Sequence, residues 1–408
     1  MHTMKMKQII NFFTDTDLYK LSMCVAVLEN YPRAMVQYEF KDRNQTVYPK
    51  GFADLVNQQI KMMENVIITD QEIAFMKSKL YYIPDWFYTF LKGYRYDSNE
   101  VRAYQDDDGH LFVHIEGYWH RTILWEVQIL SIISELKNIL DGNIAKIDYN
   151  HEYDKAYQKA EKLIQNDCIF SEFGTRRRAS FEVQDAVVHA CADAAKQLKN
   201  AESKGLFVGT SNVYFAMKYN LTPTGTMAHE FISAIAGMYG PQMANYIAME
   251  MWQKTFNGSL GTFLYDTYTW KPFAMNFTEH FARCFAGLRV DSGDNIEQMR
   301  KICSKYESLG INPKEKQIIF SNALTIDKAI EINNIAKNYC KPAYGIGTQF
   351  TADVQEYGVE PSNIVIKLLK VKITEKNEWN DTCKLSEDIG KHMGNETTVN
   401  IFKHLLHI

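Results

Sequence analysis

The sequence has no pair of cysteines at the spacing of a metal-binding or redox motif. Its seven cysteines are scattered along the chain, and none forms a CxxC pair. An odd, dispersed set argues against a disulfide framework or a zinc site and is typical of reduced, buried thiols. We therefore expect a cytoplasmic protein.

Long apolar runs and a surplus of basic residues are missing as well. No apolar run approaches the roughly 20 residues of a membrane-spanning helix, so we expect a soluble protein with no membrane partner. The segment from Met1 to Gln8 leads into polar residues and does not look like a signal peptide. A net charge of -4 excludes a general nucleic-acid binder, although local cation clusters could hold a small polyanion.

The first 140 residues predict a separate α+β domain. Residues 10–30 carry apolar side chains at helical spacing, and residues 35–40 alternate like a strand. Residues 101–118 predict a β-hairpin whose turn is the acidic run before Gly109. A long helix over residues 123–140 then leads out of this domain.

From about residue 165 the pattern changes to strands that alternate with helices. Repeated βα units indicate a parallel sheet with right-handed crossovers. Seven such units predict a (β/α) barrel, closed or irregular, over residues 141–360, with function at the C-terminal ends of the strands. The predicted strands are residues 168–170, 205–208, a short one ending near Leu221, 261–265, 287–290, 317–320 and 343–344.

The last segment, residues 361–408, resumes strand character at 364–369 and ends in a short helix. We expect it to return to the N-terminal domain. The predicted fold class is therefore α/β, with an irregular (β/α) barrel beside a smaller α+β domain formed by both ends of the chain.

A histidine stands where a Gly turn leads into a helix, in the stretch from Leu221 to Phe231. His229 at such a junction would expose its ring beside backbone N–H groups that can hold an anion. Imidazole can also act as a nucleophile and carry a covalent intermediate. The alternative is an ordinary core or surface histidine.

Three other loops carry candidate ligand-binding groups. Arg176, Arg177 and Arg178 follow a Gly turn; they could be a solvated helix start, but three cations there oppose the helix dipole and favour an anionic ligand. Asp291-Ser292-Gly293-Asp294 could hold Mg²⁺ or a ribose, or cap the next helix. Gly345-Ile346-Gly347-Thr348 would present N–H groups to a phosphate late in the barrel.

Taken together, these stretches resemble the nicotinate phosphoribosyltransferase family, which are type II phosphoribosyltransferases. The similarity covers nearly the whole chain in the same order. It also includes Thr14 to Lys20 and Lys384-Leu385-Ser386. The main matching motifs are Glu172 to Arg178, Gly209 to Val213, Gly225 to Glu230, Arg289 to Asp294 and Gly345 to Thr348.

The resemblance implies an enzyme of the ligase and glycosyltransferase class that joins nicotinate to 5-phosphoribosyl-1-pyrophosphate while hydrolysing ATP. The products would be nicotinate mononucleotide, pyrophosphate, ADP and phosphate, which is the entry step of NAD salvage from nicotinate. It implies Mg²⁺, ATP as co-substrate, and a homodimer with shared active sites. His229 matches the histidine that ATP phosphorylates.

The same resemblance implies two groups of binding residues. For nicotinate they are Tyr19 (reaching from the partner subunit), Phe173, Arg176, Thr226 and Arg289. For phosphoribosyl pyrophosphate they are Lys41 or Arg43 (from the partner), Ser211, Asp291, Ser321, Asn322, Gly345, Gly347 and Thr348. The chain departs from the family at Val290, where many bacterial relatives have histidine, and at Asn322, where several have an acid.

Three rival functions can be weighed against the sequence. A sister enzyme for nicotinamide places an acid in the Gly209-Thr210-Ser211 loop, whereas Ser211 favours the acid substrate. A non-catalytic ligand-binding barrel is disfavoured because His229, Arg289 and the loop at Gly345 are all present. Quinolinate phosphoribosyltransferase runs shorter and needs no phosphorylatable histidine.

Overall fold

Two β-sheets organise the chain. A computed structural model describes residues 6–199, 202–388, 390 and 392–408. The strands are β1 (Met35–Asp42), β2 (Val101–Gln105), β3 (Leu111–Tyr118), β4 (Ile169–Glu172), β5 (Leu206–Thr210), β6 (Thr262–Leu264), β7 (Gly287–Val290), β8 (Gln317–Phe320), β9 (Lys341–Ile346), β10 (Ile364–Lys372) and β11 (Asn380–Asp381).

Helices cover both sheets and connect most strands. None of the helices in the described part of the chain is long and apolar enough to cross a bilayer. They are α1 (Leu18–Asn30), α2 (Phe52–Met62), α3 (Asp70–Lys79), α4 (Asp85–Gly93), α5 (Trp119–Thr122), α6 (Trp125–Leu140), α7 (Tyr149–Gln165), α8 (Phe181–Gln197), α9 (Val213–Lys218), α10 (His229–Tyr239), α11 (Ala244–Phe256), α12 (Trp270–Asn276), α13 (Glu279–Cys284), α14 (Asn295–Ser308), α15 (Ile326–Ala336), α16 (Thr348–Thr351) and α17 (Glu396–Leu406).

The first sheet joins the two ends of the chain. Its strand order is β11-β10-β1-β3-β2, and all of its pairs are antiparallel. In β1 the side chains of Val36, Tyr38 and Phe40 are buried while their neighbours are more exposed, which is the alternation of a strand with one covered face. The expected return of the C-terminal segment to the N-terminal domain is confirmed by the pairing of β10 with β1. The boundaries at 140 and 360 stay a prediction.

The second sheet is parallel, with the order β5-β4-β9-β8-β7-β6. Buried apolar side chains of its strands, such as Phe170, Phe263 and Ile318, fill its centre. The outer strands β5 and β6 do not pair with each other in the described residues, so the predicted irregular barrel is open between them. Helix α10 lies between these two strands in sequence.

One of the seven predicted strands, the short one ending near Leu221, is wrong. Residues 219–228 contain no strand, and one backbone bond, from the Thr224 N–H to the Thr210 carbonyl at 2.9 Å, ties the segment to β5. Pro223 has no N–H for a ladder. The segment also passes so close to β5 that a Cβ on Gly209 would lie 2.1 Å from the Thr222 carbonyl oxygen.

The first helix begins later than the apolar spacing indicates. Residues 10–17 are not helical, because their polar groups bind elsewhere in the fold. The Thr14 hydroxyl donates to Glu72 at 2.6 Å, and Asp17 forms a bridge with Asn212 after β5. This loop carries α1 to the open edge of the parallel sheet.

Candidate active site

A cavity of about 560 Å³ lies at the C-terminal ends of the parallel strands. Loops after β4, β5, β7, β8 and β9 form one side of it, and residues at the end of β1 and along β10 form the other. The site is therefore built from both sheets. The predicted site residues that line it are Tyr19, Arg43, Phe173, Arg176, Ser211, His229, Arg289, Asp291, Ser321, Asn322, Gly345, Gly347 and Thr348.

One end of the cavity is aromatic. Phe173 follows β4, and its N–H donates to the Ile346 carbonyl of β9 at 2.8 Å. A Cβ on Gly345 would lie 2.4 Å from the Phe173 ring, so only glycine at this position leaves that ring where it is. The Arg176 guanidinium lies 5.8 Å from the centre of the Tyr19 ring. A flat anionic molecule would meet apolar ring faces and a cation here.

His229 is held from both ring nitrogens at the first turn of α10. Its Nδ1 lies 2.9 Å from the Thr267 hydroxyl, and its Nε2 lies 3.1 Å from Asp291 Oδ2. Thr267 is buried, whereas Asp291 lines the cavity, so Nε2 is the nitrogen on the cavity side. Burial and the nearby Lys384 ammonium lower the pKa of His229 well below 6.5, although Asp291 opposes the shift. The imidazole is therefore neutral at pH 7.

Asp291, which follows β7, contacts several polar side chains of the cavity. Its Oδ1 accepts a hydrogen bond from the Ser321 hydroxyl at 2.9 Å and lies 3.5 Å from Arg289. Arg289 also donates to the Met227 carbonyl at 3.2 Å, just before α10. Burial alone would raise the pKa of Asp291, but the Arg289 charge and the hydrogen bond from His229 outweigh it and hold the pKa well below its ordinary value. The carboxylate is therefore ionised and fixed in place.

Cations outnumber anions around the cavity. Among the described residues that line it, six are cationic and two, Asp17 and Asp291, are acidic. Burial, with the neighbouring Lys384 and Arg43, lowers the pKa of Lys367 well below 10.5. Such a site attracts a polyanion. The cations are Arg43, Arg176, Arg177, Arg289, Lys367 and Lys384.

A sequence model described as the nicotinate phosphoribosyltransferase (NAPRTase) family matches residues 168–408, and the N-terminal domain model of that family matches residues 14–134. The chain belongs to the nicotinate phosphoribosyltransferase family. The resemblance inferred from the motifs is confirmed, and the chain is a transferase of that family.

Named relatives of the nicotinate phosphoribosyltransferase family agree over the full length. A nicotinate phosphoribosyltransferase of Desulforapulum autotrophicum is 38% identical, over 95% of this chain and 96% of the relative. The crystal structure of nicotinate phosphoribosyltransferase from Porphyromonas gingivalis superposes with a TM-score of 0.92 at 40% identity, covering 98% and 100% of the two chains. A putative nicotinate phosphoribosyltransferase from Saccharomyces cerevisiae gives 0.91 at 32% identity, covering 98% and 99%.

Two residues that the family resemblance suggested do not line the cavity. Lys41 is exposed and pairs with Glu39 at 2.8 Å, because it points away from the site near the end of β1. The Thr226 carbonyl accepts a hydrogen bond from the Ser22 hydroxyl at 2.8 Å, and only its neighbours Gly225 and Met227 reach the cavity. Tyr19 and Arg43, which the resemblance implied would come from the partner subunit, line the cavity as residues of the same chain.

The arginine run splits in two. Arg176 and Arg177 line the cavity, as the sequence predicts. Arg178 does not: it is fully buried and binds Asp15 at 2.6 and 2.8 Å and Glu135 at 2.6 Å. The run forms a 3-10 turn that precedes α8, which begins at Phe181 after a Ser180 cap, so the helix-dipole argument does not apply.

Three charged lining residues were missed as site residues: Asp17, Lys367 and Lys384. Asp17 and Lys384 stand inside motifs that carry the family resemblance. Lys367 could have been noticed as a charge inside the apolar run of residues 364–369. Asp17 accepts a hydrogen bond from Ser211 at 2.7 Å, and burial raises its pKa.

The carboxylates near His229 fit a metal ion that arrives with phosphates. Mg²⁺ typically binds one or two carboxylates together with substrate phosphates. Asp291 faces the cavity, and Asp266 Oδ1 behind it is buried without a hydrogen-bond partner among the described residues. Burial and the Asp291 charge raise the pKa of Asp266 to about 6. The triads of possible ligands in the described residues lie elsewhere, around His110 and His151.

Proposed function

We propose that the chain transfers the phosphoribosyl group of 5-phosphoribosyl-1-pyrophosphate to nicotinate, as the first step of NAD salvage. The observation that carries this proposal is the cavity itself, in a member of this family. It combines an aromatic end bearing an arginine with a ring of cations around a fixed carboxylate. Nicotinate is flat and anionic, and the donor substrate is a polyanion.

Nicotinate would bind at the aromatic end. Its ring would lie between Phe173 and Tyr19, where offset or edge contacts with aromatic faces are favourable. Its carboxylate would face the guanidinium of Arg176, with Arg289 as a second cation across the cavity. Thr226 would contribute indirectly, by placing its neighbours Gly225 and Met227 at the cavity.

The donor would bind at the polar end. Gly345 and Gly347 pack closely against Phe173 and line the cavity with Thr348. Ser321 and Asn322 line it from the end of the neighbouring strand β8. Asp291 suits the ribose hydroxyls as an acceptor, and Ser211 lies at the rim of the ring site. Arg43 and Arg177, with the two lysines, would meet the pyrophosphate.

The chemistry needs little acid–base assistance. The glycosidic C–O bond to pyrophosphate breaks as the sugar gains oxocarbenium character, and the lone pair of the pyridine nitrogen forms the new C–N bond. Fixed cations stabilise the charge that develops on the leaving pyrophosphate. Mg²⁺, held by Asp291 and the phosphates, would add to this stabilisation when bound. Binding in one cavity aligns the nitrogen with the sugar carbon.

We further propose that ATP phosphorylates His229. The neutral imidazole would attack the γ-phosphorus through Nε2, forming an N–P bond as ADP leaves, and water would later release phosphate. In the described geometry Nε2 donates its proton to the Asp291 carboxylate. Attack through Nε2 would use the other tautomer, in which Asp291 has taken up that proton and the Thr267 hydroxyl accepts the Nδ1–H. Hydrolysis beside the site would bias loop positions and drive product release.

A cytoplasmic homodimer with shared active sites is also proposed. None of the cysteines in the described residues forms a disulfide, which is typical of a reducing compartment. Lys41 is exposed outside its own cavity and so is free to approach a partner's site. Light scattering after gel filtration would give the mass in solution.

The deciding experiment measures mononucleotide formation from the donor and Mg²⁺, with nicotinate or nicotinamide, with and without ATP. We expect turnover of nicotinate that ATP stimulates, and loss of the stimulation in His229→Ala while the basal turnover persists. Preferred use of nicotinamide would overturn the substrate assignment. Equal stimulation in His229→Ala would overturn the phosphohistidine.

The imidazole of His229 is expected to stay neutral well below pH 6.5, because burial and Lys384 disfavour its charged form. Protons should therefore bind to it only at distinctly acidic pH. NMR of the protein with labelled histidine would follow its ring signal among the 11 histidines, assigned with His229→Gln. A midpoint at or above pH 6.5 would contradict the prediction.

A further inference from the structure

A buried lysine stands behind the aromatic end of the cavity. Lys20 follows Tyr19 on α1, and its side chain is fully buried. Its ammonium contacts Glu126 of α6 and lies 2.5 Å from Glu230 Oε2 on α10. Glu126 also faces Arg176 at 3.5 Å. We call Lys20, Glu126, Glu230 and Arg176 the Lys20 cluster.

The two carboxylates of the Lys20 cluster differ in their other partners. Glu230 Oε1 accepts hydrogen bonds from the Tyr38 hydroxyl at 2.6 Å and from the Trp119 indole at 2.7 Å, so that residue is satisfied within the core. In the part of the chain that the structure describes, the hydrogen-bonded and ion-paired partners of Glu126 are two cations, Lys20 and Arg176. It touches Lys20 closely and Arg176 at the longer distance.

Arg176 is the member of the cluster that lines the cavity. Its side chain is 38% exposed, whereas that of Glu126 is 10% exposed. A carboxylate this close to an arginine would normally neutralise it and weaken its attraction for an anionic ligand. The charges that face Arg176 from other elements are those of Asp17 and Asp291 on the acidic side and Arg177 and Lys367 on the basic side.

We propose that Lys20 is a positioning residue that sets the preference for an acid substrate, by holding Glu126 away from Arg176. The lysine takes up the carboxylate, so the guanidinium stays available to the cavity. This inference rests on the proposed placement of the nicotinate carboxylate beside Arg176. Lys20 acts through Glu126 and does not touch the substrate.

A purely structural role for the Lys20 cluster makes a different prediction. If Lys20 only holds α1, α6 and α10 together, the loss of its charge should lower stability and weaken nicotinate and nicotinamide alike, and any rescue in the double variant should restore both equally. If Lys20 restrains Glu126, removing Glu126 as well should restore the site. Buried ion pairs can often be replaced together at little cost, while removal of one partner is harmful.

The test compares Lys20→Met, Glu126→Gln and the double variant in the full-length enzyme. We expect Lys20→Met to raise the KM for nicotinate about tenfold or more, the size of one charge-assisted hydrogen bond, with a much smaller change in kcat. Binding of neutral nicotinamide, measured as substrate or competitive inhibitor, should change less than about threefold. The double variant should return to within about threefold of the wild-type KM.

A double variant as impaired as Lys20→Met, or an equal loss for nicotinamide, would overturn the inference. Thermal unfolding of each variant shows which of them fold. If Lys20→Met does not fold, Glu126→Gln still decides, because the inference predicts that it does not raise the KM for nicotinate. A tenfold rise would show that Glu126 supports Arg176 instead of competing for it.

Arg176→Gln separates this inference from the proposed function. An unchanged KM for nicotinate in that variant would mean that the substrate carboxylate binds elsewhere. A raised KM in Arg176→Gln together with an unchanged KM in Lys20→Met would leave the binding site in place and overturn the role of Lys20 alone.

Discussion

Arg178→Met is expected to lower the free energy of unfolding by about 3–5 kcal/mol, the cost of removing one partner from a buried ion pair. Arg178 is fully buried and binds Asp15 at 2.6 and 2.8 Å and Glu135 at 2.6 Å. Methionine fills similar space but leaves two carboxylates in the core without their cation. Asp15 lies just before α1 and Glu135 lies in α6, so the loss loosens the wall behind the cavity.

Urea unfolding of wild type and Arg178→Met measures this difference. Arg300→Met is the matched control, because Arg300 is exposed on α14 and its loss should change stability by less than about 0.5 kcal/mol. A loss below about 1 kcal/mol for Arg178→Met would contradict the prediction.

The deficit of Arg178→Met should also depend on pH. Burial already raises the pKa of Glu135 to about 7 with Arg178 present, and removing the cation raises it further. A carboxyl whose pKa is raised in the folded state stabilises the fold at low pH and loses that contribution as pH rises. The deficit should therefore be larger at pH 8 than at pH 5.

The alternation of strands and helices could be predicted because each parallel strand is a short apolar run that ends in small or polar residues. The predictions for β7 and β8 match residue for residue, and the other strands of that sheet differ at their ends. The strand predicted near Leu221 is wrong because Pro223 offers no N–H to a ladder, a signal that the local sequence does carry. The chain there crosses above β5 instead of joining it.

Most of the candidate site follows from where the strands end. Side chains after β4, β7, β8 and β9 converge because the carboxyl ends of parallel strands meet at one edge. Local sequence cannot separate Arg178 from Arg176, since the partners that bury Arg178 lie 163 and 43 residues away. Local sequence also cannot predict that Lys367 lines the cavity, because its position depends on the pairing of β10 with β1.

Gly345→Ala is expected to raise the KM for nicotinate by about tenfold to a hundredfold, since a displacement of about 1 Å in a site can cost that much. An alanine Cβ at this position would lie 2.4 and 2.5 Å from two Phe173 ring carbons, far inside contact distance. The ring cannot stay, and the open space next to it is the cavity. It would swing into the volume that the substrate ring needs.

Stability should change little in Gly345→Ala, because the displaced ring moves into open space and not into packed core. Gly93→Ala is the matched control, since a Cβ there meets nothing within 4 Å. Steady-state kinetics with nicotinate varied at saturating donor, beside thermal unfolding, separates the two effects. The added methyl group must displace the Phe173 ring. An unchanged KM for nicotinate in Gly345→Ala would therefore mean that Phe173 does not stack on the substrate.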